Sequence, residues 1–355
     1  MTKFILSIDG GGIRGLIPAT VLAVLQEKLA NRGKTLPLYR YFHMIAGTST
    51  GAIIAAGLSS PKPKQPTQPA ADPKTLVDLY KKKGSEIFDI SIFRKISSWD
   101  GILEERYDAA PLEKILKEML GPKTLISDAL TKLLITGYDI EARRAVFMTN
   151  ADKDHENFYV WQAVRGSSAA PTYFEPALVE NLTMSKHGEV PSLPMIDGGV
   201  FANDPAMAAY VEGSKLGWRD GGDKMVILSL GTGSACRKIP YQQAKRWGAA
   251  GWLNPANDTP LISVLMQGQS STASYQLNKL LNQTPPAFAD GATVITAANR
   301  ATTDYFRLDA PLVGVNDALD DATPQNIAKL ERFGQTLAQK HDQALEEIAD
   351  RLSTP

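Results

Sequence analysis

Short apolar runs separated by glycine turns and longer amphipathic stretches recur along this chain, and their spacing predicts strands alternating with helices. Residues 3–8 are apolar apart from Lys3 and Ser7 and read as a short buried strand; a glycine-rich turn follows, and residues 16–30 read as a helix. The unit then repeats. Residues 42–46 run into a sharp turn, and residues 52–56 continue as a second helix. Further strand signals lie at 132–136, 145–148, 194–196 and 225–229, with helical stretches between them, so the expected fold class is an α/β layered sheet. In such sheets functional groups gather at the carboxyl ends of strands, which is where Gly10, Ser49 and Asp197 fall.

Residues 59–73 are rich in Pro, Lys, Gln and Ala, a composition that excludes a helix or a central strand and predicts a solvated surface loop after the second helix. At the other end, residues 323–352 predict one long helix. Thr323 is its N-cap, Pro324 stands in its first turn, and Ile327, Leu330, Phe333, Leu337, Leu345 and Ile348 form the stripe that packs on the core. Glu346, Glu347 and Asp350 argue against a membrane-surface helix there, because anionic lipid would repel them. No linker composition and no internal repeat divides the chain. The expectation is a single domain over 1–355, with a core over about 3–235 and further helical and strand elements over 236–355 packed on it.

Composition narrows the function class. An apolar content of 43% allows a large core, and lysine plus arginine balance aspartate plus glutamate at 38 each, which removes any global field toward nucleic acid or an anionic bilayer. Any membrane contact must therefore use local patches. The single cysteine, Cys236, excludes an internal disulfide, and the few apolar residues before Asp9 are too short for the apolar centre of a signal peptide, so a cytoplasmic protein is expected. Four histidines scattered at 43, 155, 187 and 341 show no metal-ligand spacing, and neither a metal nor a cofactor is expected.

The chemistry is concentrated in two turns. Asp9-Gly10-Gly11-Gly12-Ile13-Arg14-Gly15 follows one strand and opens a helix, so backbone N–H groups converge on an anion site at a helix N-terminus. A dinucleotide site would need a carboxylate about 20 residues further on, yet residues 30–40 contain no acid, and the turn lacks the Gly-Lys-Ser/Thr ending of a phosphate loop. Stabilising an oxyanion is the better use of these groups. Gly47-Thr48-Ser49-Thr50-Gly51 places Ser49 on a strand-to-helix elbow, the position of an exposed nucleophile.

A serine needs a base to remove its proton. In a Ser-acid-His order the only histidine after residue 197 is His341, which falls mid-helix on the apolar stripe and reads as a structural residue. The remaining candidate is Asp197 in Pro194-Met-Ile-Asp197-Gly198-Gly199, again at a strand end. With a reference pKa near 3.9 an aspartate is a weak base, so this use requires burial that raises its pKa or a serine made more acidic by the helix dipole and oxyanion donors.

These residues resemble the patatin-like phospholipases, lipid acyl hydrolases that work with a Ser–Asp dyad and no histidine. Residues 9–15 look like the family's glycine-rich oxyanion motif, residues 47–51 its nucleophile elbow, and Asp197-Gly198-Gly199 its Asp-Gly-Gly motif; residues 168–174, 200–205 and 228–233 are similar to further family blocks. The resemblance spans residues 3 to about 350. It implies a three-layer α/β/α sandwich with a mostly parallel central sheet, Ser49 as nucleophile and Asp197 as base. It also implies an oxyanion hole from Gly10, Gly11 and Gly12 with Arg14, supported by Gly15, Gly47, Gly51, Gly198 and Gly199. One departure is Asp204, where the family commonly has Asn.

The implied reaction is release of fatty acids from membrane glycerolipids, by a phospholipase A or lysophospholipase route, with peripheral membrane contact and no nucleic-acid partner. Trp247, Trp252, Tyr241 and Arg246 offer an interfacial contact, against the plainer reading of aromatic packing beneath a loop. Three alternatives stay open: an effector of bacterial antiphage defence activated by a cyclic nucleotide, with residues 235–310 as host for such an activator; a storage or scaffold protein; and acyl transfer to a carrier. No motif in 235–310 demands an activator, and the oligomeric state is not legible.

Overall fold

The computed structural model describes residues 1–87, 107–151, 156–184, 191–254, 259–282, 288–289 and 291–354. His155, His187 and parts of the 235–310 segment lie outside the described residues. The centre is an eight-stranded sheet. Its strands are β1 (Thr2–Ile8), β2 (Met44–Gly47), β3 (Lys132–Asp139), β4 (Arg144–Thr149), β5 (Ala177–Glu180), β6 (Ser192–Asp197), β7 (Lys224–Leu230) and β8 (Tyr305–Leu308). The order is β8-β7-β1-β2-β3-β6-β5, with β4 pairing β3 off this path. From β8 to β3 every pair is parallel; β6, β5 and β4 join antiparallel. The sequence reading of a mostly parallel sheet holds, while β5 and β8, each four residues long, were too short to signal themselves.

Strand side chains alternate between two apolar layers, as the period of two requires. Leu6, Ile8, Ile45, Leu133, Ile135, Val226 and Leu228 face a large core that includes α1 (Leu16–Asn31) and α2 (Thr50–Ser59). Ile5, Met44, Ala46, Leu134, Met225, Ile227 and Tyr305 face a smaller one with α6 (Ala206–Lys215) and α7 (Pro260–Leu281). Helices α3 (Pro73–Ile87), α4 (Ala110–Leu120) and α5 (Val160–Ser167) belong to the first layer. Burial on both faces explains why residues 4–8 of β1 are apolar on both sides of the strand, with only Ser7 breaking the run.

Two expectations are corrected. The 59–73 stretch is on the surface but is not all loop, since residues 61–62 and 65–69 pair as a small antiparallel hairpin outside the main sheet. The predicted C-terminal helix is two, α8 (Pro324–Lys340) and α9 (Asp342–Ser353), broken at His341, which leaves the helical region at φ −109 and ψ 29. The N-cap reading holds, for the Thr323 hydroxyl accepts the amide of Asn326 at 3.3 Å. The break lets α9 re-aim its acidic face at α1. Lys28 donates to Asp342 at 2.6 Å and to Glu346, and Arg32 donates to Asp350 at 2.8 Å, so those acids are partly spent on packing.

Candidate active site

Ser49 sits at the junction of β2 and α2 with φ 55 and ψ −122, a conformation that side chains avoid and that a tight elbow enforces. The elbow is closed by contact, because an added Cβ on Gly47 would lie 2.1 Å from the Gly51 carbonyl oxygen, and one on Gly51 would lie 2.1 Å from the Ile8 oxygen. Only glycine permits that approach. The Ser49 amide donates to the buried Ser167 hydroxyl at 2.8 Å, fixing the turn from the end of α5.

Asp197 reaches the same rim by a different route from the one the sequence suggests. Its strand, β6, runs antiparallel to β3, with Asp197 opposite Gly137, just beyond the level of Gly47 opposite Ile135. Its carboxylate accepts the Gly199 amide at 2.7 Å and shares the cleft with Ser49. Burial pushes its pKa up to about 7, against the lowering effect of the Ser49 side chain and the Gly199 amide. Gly198 leaves no room for a Cβ, which would lie 2.0 Å from the Thr136 hydroxyl.

The glycine turn stands beside the elbow, and its amides divide into two sets. The Gly10 amide donates to the Asn203 carbonyl at 3.0 Å, Ile13 to the Leu319 carbonyl at 2.8 Å, and Arg14 to the Gly11 carbonyl at 3.1 Å. Among the described residues no hydrogen bond takes up the amides of Gly11, Gly12 or Thr50, and all three residues line the cleft at Ser49. The predicted oxyanion group therefore shrinks on one side and grows on the other. Gly10 is committed, and the Arg14 side chain braces the turn from below, donating to the Gly11 and Gly233 carbonyls at 3.3 Å each. Thr50, the residue after Ser49, was not among the predicted donors, although its place on the elbow was signal enough. Gly15 serves packing, since a Cβ there would meet the Thr50 hydroxyl at 2.2 Å.

A cleft opens over Ser49 and Asp197, walled by Ile53, Leu112, Phe174, Ile262, Met266 and Leu319 among others. A second, more polar cavity adjoins it, sharing Tyr173, Ile262, Met266 and Leu319 and adding Arg14, Asp309, Thr232 and Ser263. Apolar walls beside a polar lobe suit a molecule with a hydrocarbon end and a polar end.

Beneath the turn lies a buried ionic cluster that the sequence reading did not find. Arg307 on β8 forks onto Asp9 with two hydrogen bonds of 2.7 Å and also reaches Ser229 at 2.8 Å, Asp309 at 3.2 Å and Asp204 at 3.3 Å. Asp204, the departure from the family pattern, is thus a partner of a buried guanidinium. Burial and the neighbouring carboxylates push Asp9 up to about 8 despite Arg307. His341 is buried at the break between α8 and α9, and it does not line the cleft. Trp247 and Trp252 meet edge to face at 5.2 Å, next to the exposed Tyr241 and Leu253. Among the described residues no group of three His, Cys, Asp or Glu side chains is placed to hold a metal, and no helix is long and apolar enough to cross a membrane.

Comparison with known proteins identifies the family. The family model "Patatin-like phospholipase" matches residues 6–210. "Patatin group M-3" of Solanum tuberosum is 28% identical over 98% of this chain and 89% of its own length, and "Patatin-like protein 1" of Oryza sativa subsp. indica is 31% identical over 94% and 80%. Another relative, 29% identical over 95% of this chain and 86% of its own length, is called "Probable inactive patatin-3-Kuras 1", also from Solanum tuberosum. Among solved structures, VipD from Legionella pneumophila aligns over 96% of this chain and 67% of its own at 12% identity and a TM-score of 0.40. Human GIVD cytosolic phospholipase A2, in complex with methyl gamma-linolenyl fluorophosphonate, aligns over 99% and 59% at 12% identity and a TM-score of 0.43. With more than half of its length matched by the family model, the chain belongs to the patatin-like phospholipase family.

Proposed function

We propose that the protein is a serine lipid acyl hydrolase of phospholipase A or lysophospholipase type that releases fatty acids from membrane glycerolipids with a Ser49–Asp197 dyad. The observation that carries this reading is Ser49, on its strained elbow, sharing one apolar cleft with a buried Asp197 whose pKa burial pushes up to about 7. Asp197 takes the proton from Ser49 Oγ as that oxygen attacks the ester carbonyl carbon. The carbonyl oxygen becomes an oxyanion held by the amides of Gly11, Gly12 and Thr50. Collapse expels the lipid alcohol, which takes the proton from Asp197 and leaves an acyl-serine. Water attacks this ester, again giving a proton to Asp197, and as the fatty acid leaves Asp197 returns that proton to Ser49 Oγ, restoring both residues.

The test is fatty-acid release from mixed phospholipid vesicles by wild type, Ser49→Ala and Asp197→Asn, with and without a panel of cyclic nucleotides. Both variants should lose at least about 10³-fold in kcat. Wild-type release that needs a nucleotide would make the enzyme a triggered effector. Silence under every condition would sink the hydrolase reading and leave a scaffold that has kept the fold.

A further inference from the structure

We propose that Arg307 is a positioning residue for acyl transfer: from strand β8, outside the family-matched span, it sets the glycine turn that presents the Gly11 and Gly12 amides. The inference rests on the proposed hydrolase reading for its consequence in rate, but its geometry is independent of that reading.

Arg307 reaches Gly10 from three sides. Its fork orients the Asp9 carboxylate, and Asp9 is covalently joined to Gly10. Through Nη1 it also holds Asp204, whose neighbour Asn203 accepts the Gly10 amide at 3.0 Å. Through Nη2 it holds Asp309, which accepts the Gly233 amide at 2.9 Å; the adjacent Thr232 hydroxyl donates to the Gly10 carbonyl at 2.6 Å. Both polar atoms of Gly10 are thereby occupied, and the turn leaves Gly11 and Gly12 as its uncommitted donors. A guanidinium suits this role because its planar fork fixes direction as well as charge, whereas a lysine ammonium is one point charge. Packing alone does not call for such a cluster, since apolar residues of similar volume commonly replace a buried ion group without loss of stability.

The experiment compares wild type with Arg307→Lys on p-nitrophenyl butyrate, a soluble ester, and follows amide hydrogen exchange in peptides covering residues 9–16. The variant should lose about tenfold or more in kcat, with KM within about twofold because no cleft-lining residue changes, and the turn should exchange about tenfold faster. A kcat and an exchange rate both within about twofold of wild type would overturn the proposal, as would a KM that rises in step with the loss of kcat. Ser229→Ala removes one uncharged 2.8 Å acceptor and should give a smaller change, about two- to fivefold, in the same two readouts. If Arg307→Lys does not fold, Ser229→Ala decides on the same criterion. A wild type without ester hydrolysis, with or without the cyclic nucleotides, would defeat the hydrolase reading alone, and the exchange comparison would still decide whether Arg307 holds the turn.

Discussion

Burial sets the protonation of Asp197, and two pH effects of opposite benefit follow. A base must be ionised to accept the Ser49 proton, so kcat/KM should rise with pH and level off above an apparent pKa of about 7. A pH–rate profile without that acid limb would remove Asp197 from the role. Stability runs the other way. Because the folded pKa lies above the unfolded value of 3.8, the folded state binds more protons between the two, and this group's contribution is present below about pH 4 and lost as pH rises to about 7. Asp197→Asn should therefore unfold at higher denaturant than wild type at pH 8, by about 1–4 kcal/mol, and not at pH 4. Equal unfolding midpoints at pH 8 would refute this. Ser49 and Asp197 were legible in the sequence because each stands in a local motif. Ser167 and Arg307 were not, since their partners lie 118 and 298 residues away and no local pattern marks them.

At the scale of elements, the long strands and the first two helices were legible from apolar period and glycine placement. The break at His341 was not, because the apolar stripe continues across it and the bend is made by pairing with α1, a tertiary effect. The segment between β7 and α7 invites a direct test. Lys238, Lys245 and Arg246 are exposed there beside Tyr241 and Leu253, and Trp247 lines a groove with Pro260 and Ser263 at the start of the helix whose Ile262 and Met266 wall the cleft. If this strip meets the lipid surface, reversing all three cations to Glu should weaken binding to phosphatidylglycerol vesicles by on the order of 10²-fold, at about 1 kcal/mol per basic residue lost, while hydrolysis of a soluble ester persists. Unchanged vesicle binding would return the aromatics to plain packing.

For the whole molecule, the last third is part of the machine. β8 extends the parallel sheet beside β7, and the Leu319 carbonyl holds the Ile13 amide of the glycine turn. A fragment ending at residue 235 should accordingly lack cooperative unfolding and ester hydrolysis; a folded, active fragment would show that the later elements are accessory. Leu319 carries one more consequence. Leu319 lines the cleft, and its carbonyl oxygen would lie 2.1 Å from a Cβ at Gly12, so one residue touches both the cleft and the glycine turn. If the proposed hydrolase reading holds, a change at this position moves selectivity and speed together. Leu319→Ala should shift the preferred acyl length upward and lower the turnover of every chain length, and a selectivity change at constant kcat would show that the two traits can evolve apart.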